Sequence, residues 1–408
     1  MATARPNREG YFVAGDGLRG LAALMVLGFH GFVGVAVFVP AGQNVDWGAI
    51  GDLFVRLNAG LYVFFVISGY LVGGPWVRAW LRGSAFPRPR SYLARRARRI
   101  VPAFWVVTAG LLLWFGASGA SAGDVLVLLA FGQVFLEGPV AAVLPHGWTL
   151  DVEVMFYLAL PVVAGMVVRV GGVPAEAATR RRALLALLGL LFVGGLLLRR
   201  GPAEGLEQPG ARTIATFVWA FVPGLLLAAW EPAARARLAG SREGRALALA
   251  LGALGLVSVA ALAAFGLDDG RLSTLLAYAG CGGGLVGGAL VWQWTTGRAP
   301  AGFDTRVAHA LGRWSYGIYL VHVGVGRELV TRVPAGLGPG GALAFVLGGM
   351  LVVSVALAAL LWWLVEEPAI TGRRPRLPGE RPPAAAVETP TGPAAVSASP
   401  EPVSAPAK

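Results

Sequence analysis

Cysteine occurs once and histidine four times in 408 residues, and each scarcity narrows the reading. The lone Cys281 cannot close an internal disulfide, and in its Gly-rich apolar run it reads as a small packing residue. Charge is scarce as well. Asp, Glu, Lys and Arg make up 14% of the chain, against about 25% in soluble domains. Together with a 56% hydrophobic fraction and a mean hydropathy of +0.66, this excludes a water-soluble globule and leaves a polytopic membrane protein. The N-terminus lacks a short apolar stretch flanked by basic residues and a small-residue cleavage site, so the first span is expected to stay in the mature protein. Acidic residues are outnumbered, 22 against 34 basic, for a net charge of +12. On a soluble protein that balance suggests nucleic acid. Here the basic residues cluster in certain loops, which is the positive-inside pattern, and no nucleic-acid partner is expected. Neither an internal repeat nor a second soluble domain is evident, and no metal site is expected.

Stretches apolar enough to cross a bilayer run at about 17–39, 60–80, 100–117, 148–170, 182–198, 212–230, 246–265, 273–294, 308–331 and 340–364, ten in all. A further run at 125–135 is too short to cross. If it does not span, the Arg-bearing loops at 78–99, 169–182, 235–245 and 298–313, with the tail from 373, lie on one side, which the charge bias makes the cytoplasm. Making it span would send the cluster Arg180, Arg181 and Arg182 outside. The expected fold is therefore all-α: an integral membrane helical bundle of about ten transmembrane helices plus one short or re-entrant helix. Both termini are expected in the cytoplasm of a bacterial plasma membrane. The division is a cytoplasmic segment 1–15, a membrane domain 16–370 and a tail 371–408, rich in Pro and Ala, too polar and aperiodic to bury a core.

Ionisable residues inside spans are costly and usually functional. The first span holds Arg19 and His30, eleven residues apart, which puts them on one helical face roughly 16 Å apart along the axis. Asp16, three residues before Arg19, joins the same stripe. In the second span, Ser68-Gly69 reads either as a close-packing pair or, for Ser68, as a lining residue. The segment Arg95-Arg96-Ala97-Arg98-Arg99-Ile100-Val101-Pro102 reads either as a topology anchor meeting anionic lipid or as a grip on phosphates. The fourth span opens with Asp151 and Glu153, carboxylates that favour a helix N-terminus or serve chemistry. Trp148 before them reads as an interfacial anchor, and His146 as a loop residue near the outer surface, on a path for an entering acceptor. In the ninth span Ser315, Tyr319 and His322 share a face. His30 and His322 are expected at comparable depth. Glu366 and Glu367, before the helix-stopping Pro368, are expected to salt-bridge the basic loops.

Taken together these strings resemble the membrane-bound acyltransferase 3 family. The matching pieces are Asp16-Gly17-Leu18-Arg19 with ten residues before His30, then Phe64-Phe65-Val66-Ile67-Ser68-Gly69-Tyr70, then Arg96-x-x-Arg99-Ile100-x-Pro102. Further along come Trp148-Thr149-Leu150-x-x-Glu153-x-x-Phe156-Tyr157, Ser315-Tyr316-x-Ile318-Tyr319-Leu320-x-His322 and Glu366-x-Pro368. Each is weak alone; six in order are specific. One departure is Val154 and Met155, where the family often carries an acidic or amide pair. The chain looks like a stand-alone member without the hydrolase-like extracytoplasmic domain that some members carry.

The resemblance implies transfer of an acyl group, commonly acetyl, from acyl-CoA to a hydroxyl of a carbohydrate or glycosylated acceptor. Acyl-CoA is then a co-substrate rather than a bound cofactor. Asp16, Arg19, Arg95, Arg96, Arg99 and Ser68 are the candidates for holding the donor. His30 is the candidate general base, Glu153 its orienting group, and Tyr319 or His322 the helpers at the oxyanion. An acyl-histidine relay is the alternative chemistry. A transporter or flippase using the intramembrane His, Glu and Arg as a path is the alternative class.

Overall fold

The computed structural model describes residues 12–116, 119–170, 172–200, 211–265 and 271–372; the tail from 373 and residues 1–11 lie outside them. The described residues form helices and no strand. The long helices are α1 (Gly15–Phe38), α5 (Pro89–Phe115), α8 (Trp148–Val170), α9 (Ala177–Arg199), α10 (Ile214–Leu238), α11 (Arg242–Phe265), α12 (Leu272–Thr296), α13 (Arg306–Val330) and α14 (Pro339–Leu361). The second span is composite: α2 (Gly48–Arg56) leads into α3 (Gly60–Ser68), then through the π-helical turn Gly69–Gly73 into α4 (Gly74–Arg82). A second π-turn, Trp362–Glu366, joins α14 to the short α15 (Glu367–Thr371). Such turns widen a helix locally and often mark functional positions.

By length and apolarity nine helical segments among the described residues qualify as membrane spans, and α13 is not one of them. Its 25 residues are nonetheless long enough, at about 1.5 Å per residue, to cross about 37 Å. The shortfall is in apolarity, and its cause is position: α13 packs between α1 and α14, so its polar residues turn inward. Surface residues such as Leu113, Val170, Leu190, Leu256 and Val352 are exposed and apolar, the composition required of a lipid-facing belt.

The short run at 125–135 resolves into α6 (Ala122–Leu129), a turn at Gln133–Phe135 and α7 (Gly138–Ala141). Eight residues reach only about 12 Å, well short of the ~30 Å apolar thickness. Ser121 and Asp124 close a capping box at its start, with Asp124 Oδ2 accepting from the Ser121 backbone at 2.8 Å. The hydrogen bonds from the Ser121 backbone and hydroxyl hold the Asp124 carboxyl below its ordinary range.

Close helix approach is built on glycine. A side-chain carbon on Gly69 would lie 2.2 Å from the Phe221 carbonyl, and one on Gly224 would lie 2.0 Å from the Val66 carbonyl. The π-turn and α10 therefore touch backbone to backbone. The two readings of Ser68-Gly69 divide between the residues: Gly69 makes the packing, and Ser68 is left for the site.

Candidate active site

Call the membrane face where α1 and α5 begin the near face, and the one where α1 ends the far face. Four elements, α1, α3, α8 and α13, each contribute to two cavities in the same order. Toward the near face Arg19, Ser68, Glu153, Ser315 and Tyr316, with Arg96 and Arg99 from α5, line a cavity of about 100 Å³. Toward the far face His30, Asn58, His146 and Trp148 line one of about 330 Å³. Leu61, Thr149 and Tyr319 line both, so the two spaces meet at one shared wall.

In the near cavity three guanidinium groups face one carboxylate. Glu153 Oε1 accepts from Tyr157 Oη at 2.5 Å and from Ser68 Oγ. Arg96 sits 6.0 Å from the Tyr157 ring centroid, and its Nε is buried with no hydrogen-bond partner among the described residues. This excess of positive charge fits a multiply anionic group. Arg96 and Arg99, three apart, share a face of α5, whereas Arg95 points to the exposed side. Arg95 therefore lies off the cavity, on the surface open to lipid head groups.

Two other expectations change. Asp16 is not in the cavity: its carboxylate accepts from His309 Nδ1 at 3.2 Å, while His309 Nε2 donates to Asp304 at 2.7 Å. That arrangement needs a proton on each ring nitrogen, and it ties the start of α1 to α13. Glu366 is buried at 1% exposure with both oxygens lacking a hydrogen-bond partner among the described residues. It is within electrostatic reach of Arg99 and Arg19, yet forms no ion pair with any described residue.

The far cavity is organised by protons rather than charge. His322 Nδ1 and His146 Nε2 each donate to the Tyr319 carbonyl at 2.7 Å. A carbonyl only accepts, so those nitrogens carry the hydrogens and a neutral His322 presents a bare Nε2. His30 Nδ1 is 3.0 Å from the Val26 carbonyl and 3.1 Å from His322 Nε2; it is therefore the donor to both. The nitrogen left on His30, in a ring that lines the cavity, is Nε2.

The Tyr319 hydroxyl donates to the His146 carbonyl at 2.5 Å and is also bonded to Thr149 Oγ1. Its hydrogen is thereby committed to the wall between the cavities. Glu153, expected beside His30, is instead one helical turn nearer the near face, and His322 occupies the position foreseen for it.

His146, expected near the outer surface, is 4% exposed, and its ring centroid lies 4.7 Å from that of His322 and 5.9 Å from that of His30. It is carried inward by the segment before α8. Gln133 Nε2 donates to the carbonyls of Ala141 at 3.0 Å and Leu144 at 2.6 Å, and Asp151 accepts from Val134 N at 2.9 Å. Asp151 thus fixes this segment rather than serving chemistry. Sequence reading also passed over Arg199 and Arg212, which line the far cavity. A basic residue at a span end reads as an ordinary flank, so no local signal marks them. Among the described residues no group of three or more His, Cys, Asp or Glu side chains is disposed to hold a metal ion.

Fold and site together define a polytopic membrane protein with a cationic cavity at one face and a histidine-lined cavity at the other. The acyltransferase-domain family model matches residues 13–363, and the chain belongs to that family, acyltransferase 3. Over 136 residues it is 34% identical to the exopolysaccharide production protein ExoZ of Rhizobium meliloti, covering 28% of this chain and 41% of that protein. Over 112 residues it is 28% identical to the peptidoglycan O-acetyltransferase OatA of Listeria monocytogenes, covering 28% of this chain and 15% of that protein. The chain thus spans less than half the length of these curated relatives. No solved structure matches.

Proposed function

We propose that this protein is a membrane O-acyltransferase that takes an acyl group, acetyl by expectation, from acyl-CoA at the near face. The acceptor is a hydroxyl of a carbohydrate or glycosylated molecule reached from the far face. The observation that carries this reading is the pair of cavities meeting at Leu61, Thr149 and Tyr319. One end has the charge to hold phosphates, the other has a histidine with a free nitrogen, and a thin arm suffices to join them. Because Arg-rich loops gather at the near face, that face is assigned to the cytoplasm, where acyl-CoA is made. This puts both ends of the membrane domain on the cytoplasmic side.

At about 100 Å³ the near cavity is smaller than the roughly 300–1,000 Å³ that encloses a drug-sized ligand. It suits the coenzyme's arm, leaving the nucleotide at the mouth with Arg96 and Arg99, and Arg19 deeper along α1. His30 Nε2 takes the proton of the acceptor hydroxyl as its oxygen adds to the thioester carbonyl. Collapse of the tetrahedral adduct breaks the C–S bond, and the coenzyme thiolate recovers the proton from His30. While His30 is charged, its Nδ1–H donates to His322 Nε2, a hydrogen bond that strengthens as the charge appears. His322 and the Tyr319 carbonyl are accordingly positioning groups, and Glu153 holds Ser68 and Tyr157 around the donor.

Purified protein in detergent, given labelled acetyl-CoA and a carbohydrate acceptor, should yield an acyl ester seen by mass spectrometry, and His30→Ala should yield none. Turnover retained by a folded His30→Ala protein removes the base. Label bound to wild-type protein after denaturation replaces direct transfer with the acyl-histidine route. A transporter makes no ester at all.

A further inference from the structure

The far cavity contains two cations that the acyl-transfer chemistry does not use. Arg199, the last residue of α9, is 8% exposed, and its Nε and Nη1 have no hydrogen-bond partner among the described residues. Its guanidinium lies 5.0 Å from the Phe217 ring centroid. A buried cation without an acceptor is costly, and such groups are ordinarily paired. Neighbours at the same face are satisfied: Arg327 donates to the Ala142 carbonyl at 3.1 Å, and Arg332 pairs with Glu328. Arg212 lines the same cavity with its guanidinium 5.0 Å from the Trp148 ring centroid. Trp148 and Phe217 are themselves 5.1 Å apart, so two cations stack on two adjoining rings. Among the described residues no acidic side chain lines the space.

Aromatic faces suit the C–H side of a sugar ring, and guanidinium forks suit a carboxylate or phosphate. We infer that the far cavity takes an anionic carbohydrate, its carboxylate or phosphate held by Arg199 with Arg212, its sugar ring against Trp148 and Phe217. Its free hydroxyl then lies at His30. The fate of that hydroxyl rests on the transferase reading above; recognition of the anion does not.

The test uses the full chain in detergent and three oligosaccharides of equal length, one neutral, one carrying a uronate, one carrying a phosphate monoester. Binding is read by calorimetry, independently of turnover. Wild-type protein should bind at least one charged sugar about tenfold more tightly than the neutral one, as a hydrogen bond to a charged group implies. Whether uronate or phosphate is preferred identifies the source of the charge. Arg199→Gln and Arg212→Gln should each erase the preference, and Arg199→Lys should keep part of it, with monodisperse elution and unchanged binding of coenzyme A showing that each variant is folded. Equal affinity for neutral and charged sugars, or a preference that survives in both glutamine variants, overturns the inference. Arg199-dependent binding without acylation of any sugar leaves the anion site standing and removes the transferase reading. Acylation of neutral and charged sugars with equal kcat/KM does the reverse.

Discussion

The near and far cavities are built on the same four elements, yet they solve opposite problems. In the near cavity the charges form no ion pair among the described residues: Arg19, Arg96 and Arg99 face Glu153, whose oxygen is occupied by Ser68 and Tyr157. Such a site has positive potential to offer and little that specifies a proton's place. In the far cavity the protons of three imidazoles are assigned by two backbone carbonyls, those of Tyr319 and Val26. Helix α1 separates the two levels by three turns, the spacing that the proposed mechanism uses for a charged head at one level and proton transfer at the other.

The division of labour can be broken at several points. His30→Ala should cost the most, about 10²- to 10⁴-fold in kcat, the usual contribution of a general base, measured with labelled acyl-CoA on protein that still elutes as a single species. His322→Leu should lower kcat by about 10- to 100-fold, the worth of a hydrogen bond to a charged partner. His322→Gln, whose side-chain oxygen can accept from His30 Nδ1, should recover part of that loss; equal loss in both would deny the positioning role. Arg99→Gln should act on the other cavity, raising KM for acyl-CoA about tenfold with kcat nearly unchanged. A change confined to kcat would move Arg99 from binding to chemistry. Arg95→Gln, exposed on the same helix, should change KM by less than about twofold, as exposed charges do. Should Arg95 and Arg99 prove equivalent, the basic segment acts as a diffuse anchor rather than a site. Outside both cavities, Gly224→Ala should destabilise by about 1–3 kcal/mol, the cost of overpacking a close crossing, read as a lower thermal midpoint.

The contrast also separates what was legible in the sequence from what was not. Charges in apolar helices announce themselves, so Arg19, His30, Glu153 and His322 stood out, as did the helical bundle itself. Helical phase puts Arg19 and His30 on one face of α1, but it cannot separate Arg95 from Arg99, which is four residues on and on nearly the same face; only burial sets Arg95 outside. Register between helices has no such signal. Nothing in the run from Trp148 to Tyr157 says that Glu153 ends a turn short of the histidines, nor that α13 presents His322 in its place. Depth of a loop is equally silent, and His146 reads as surface until Gln133 and Asp151 are seen drawing its segment inward. The polarity that drops α13 below the apolarity of a span is the same fact as its central position.

In the proposed mechanism donor and acceptor meet from opposite faces across the wall of Leu61, Thr149 and Tyr319. The most direct test is the sidedness of acyl transfer in sealed proteoliposomes of known orientation, with labelled acetyl-CoA and a membrane-impermeant glycan supplied on chosen sides. Ester is expected only when acetyl-CoA is on the side of Arg96 and Arg99 and the glycan on the other. Transfer that requires both on the same side, or proceeds with their places exchanged, would contradict it.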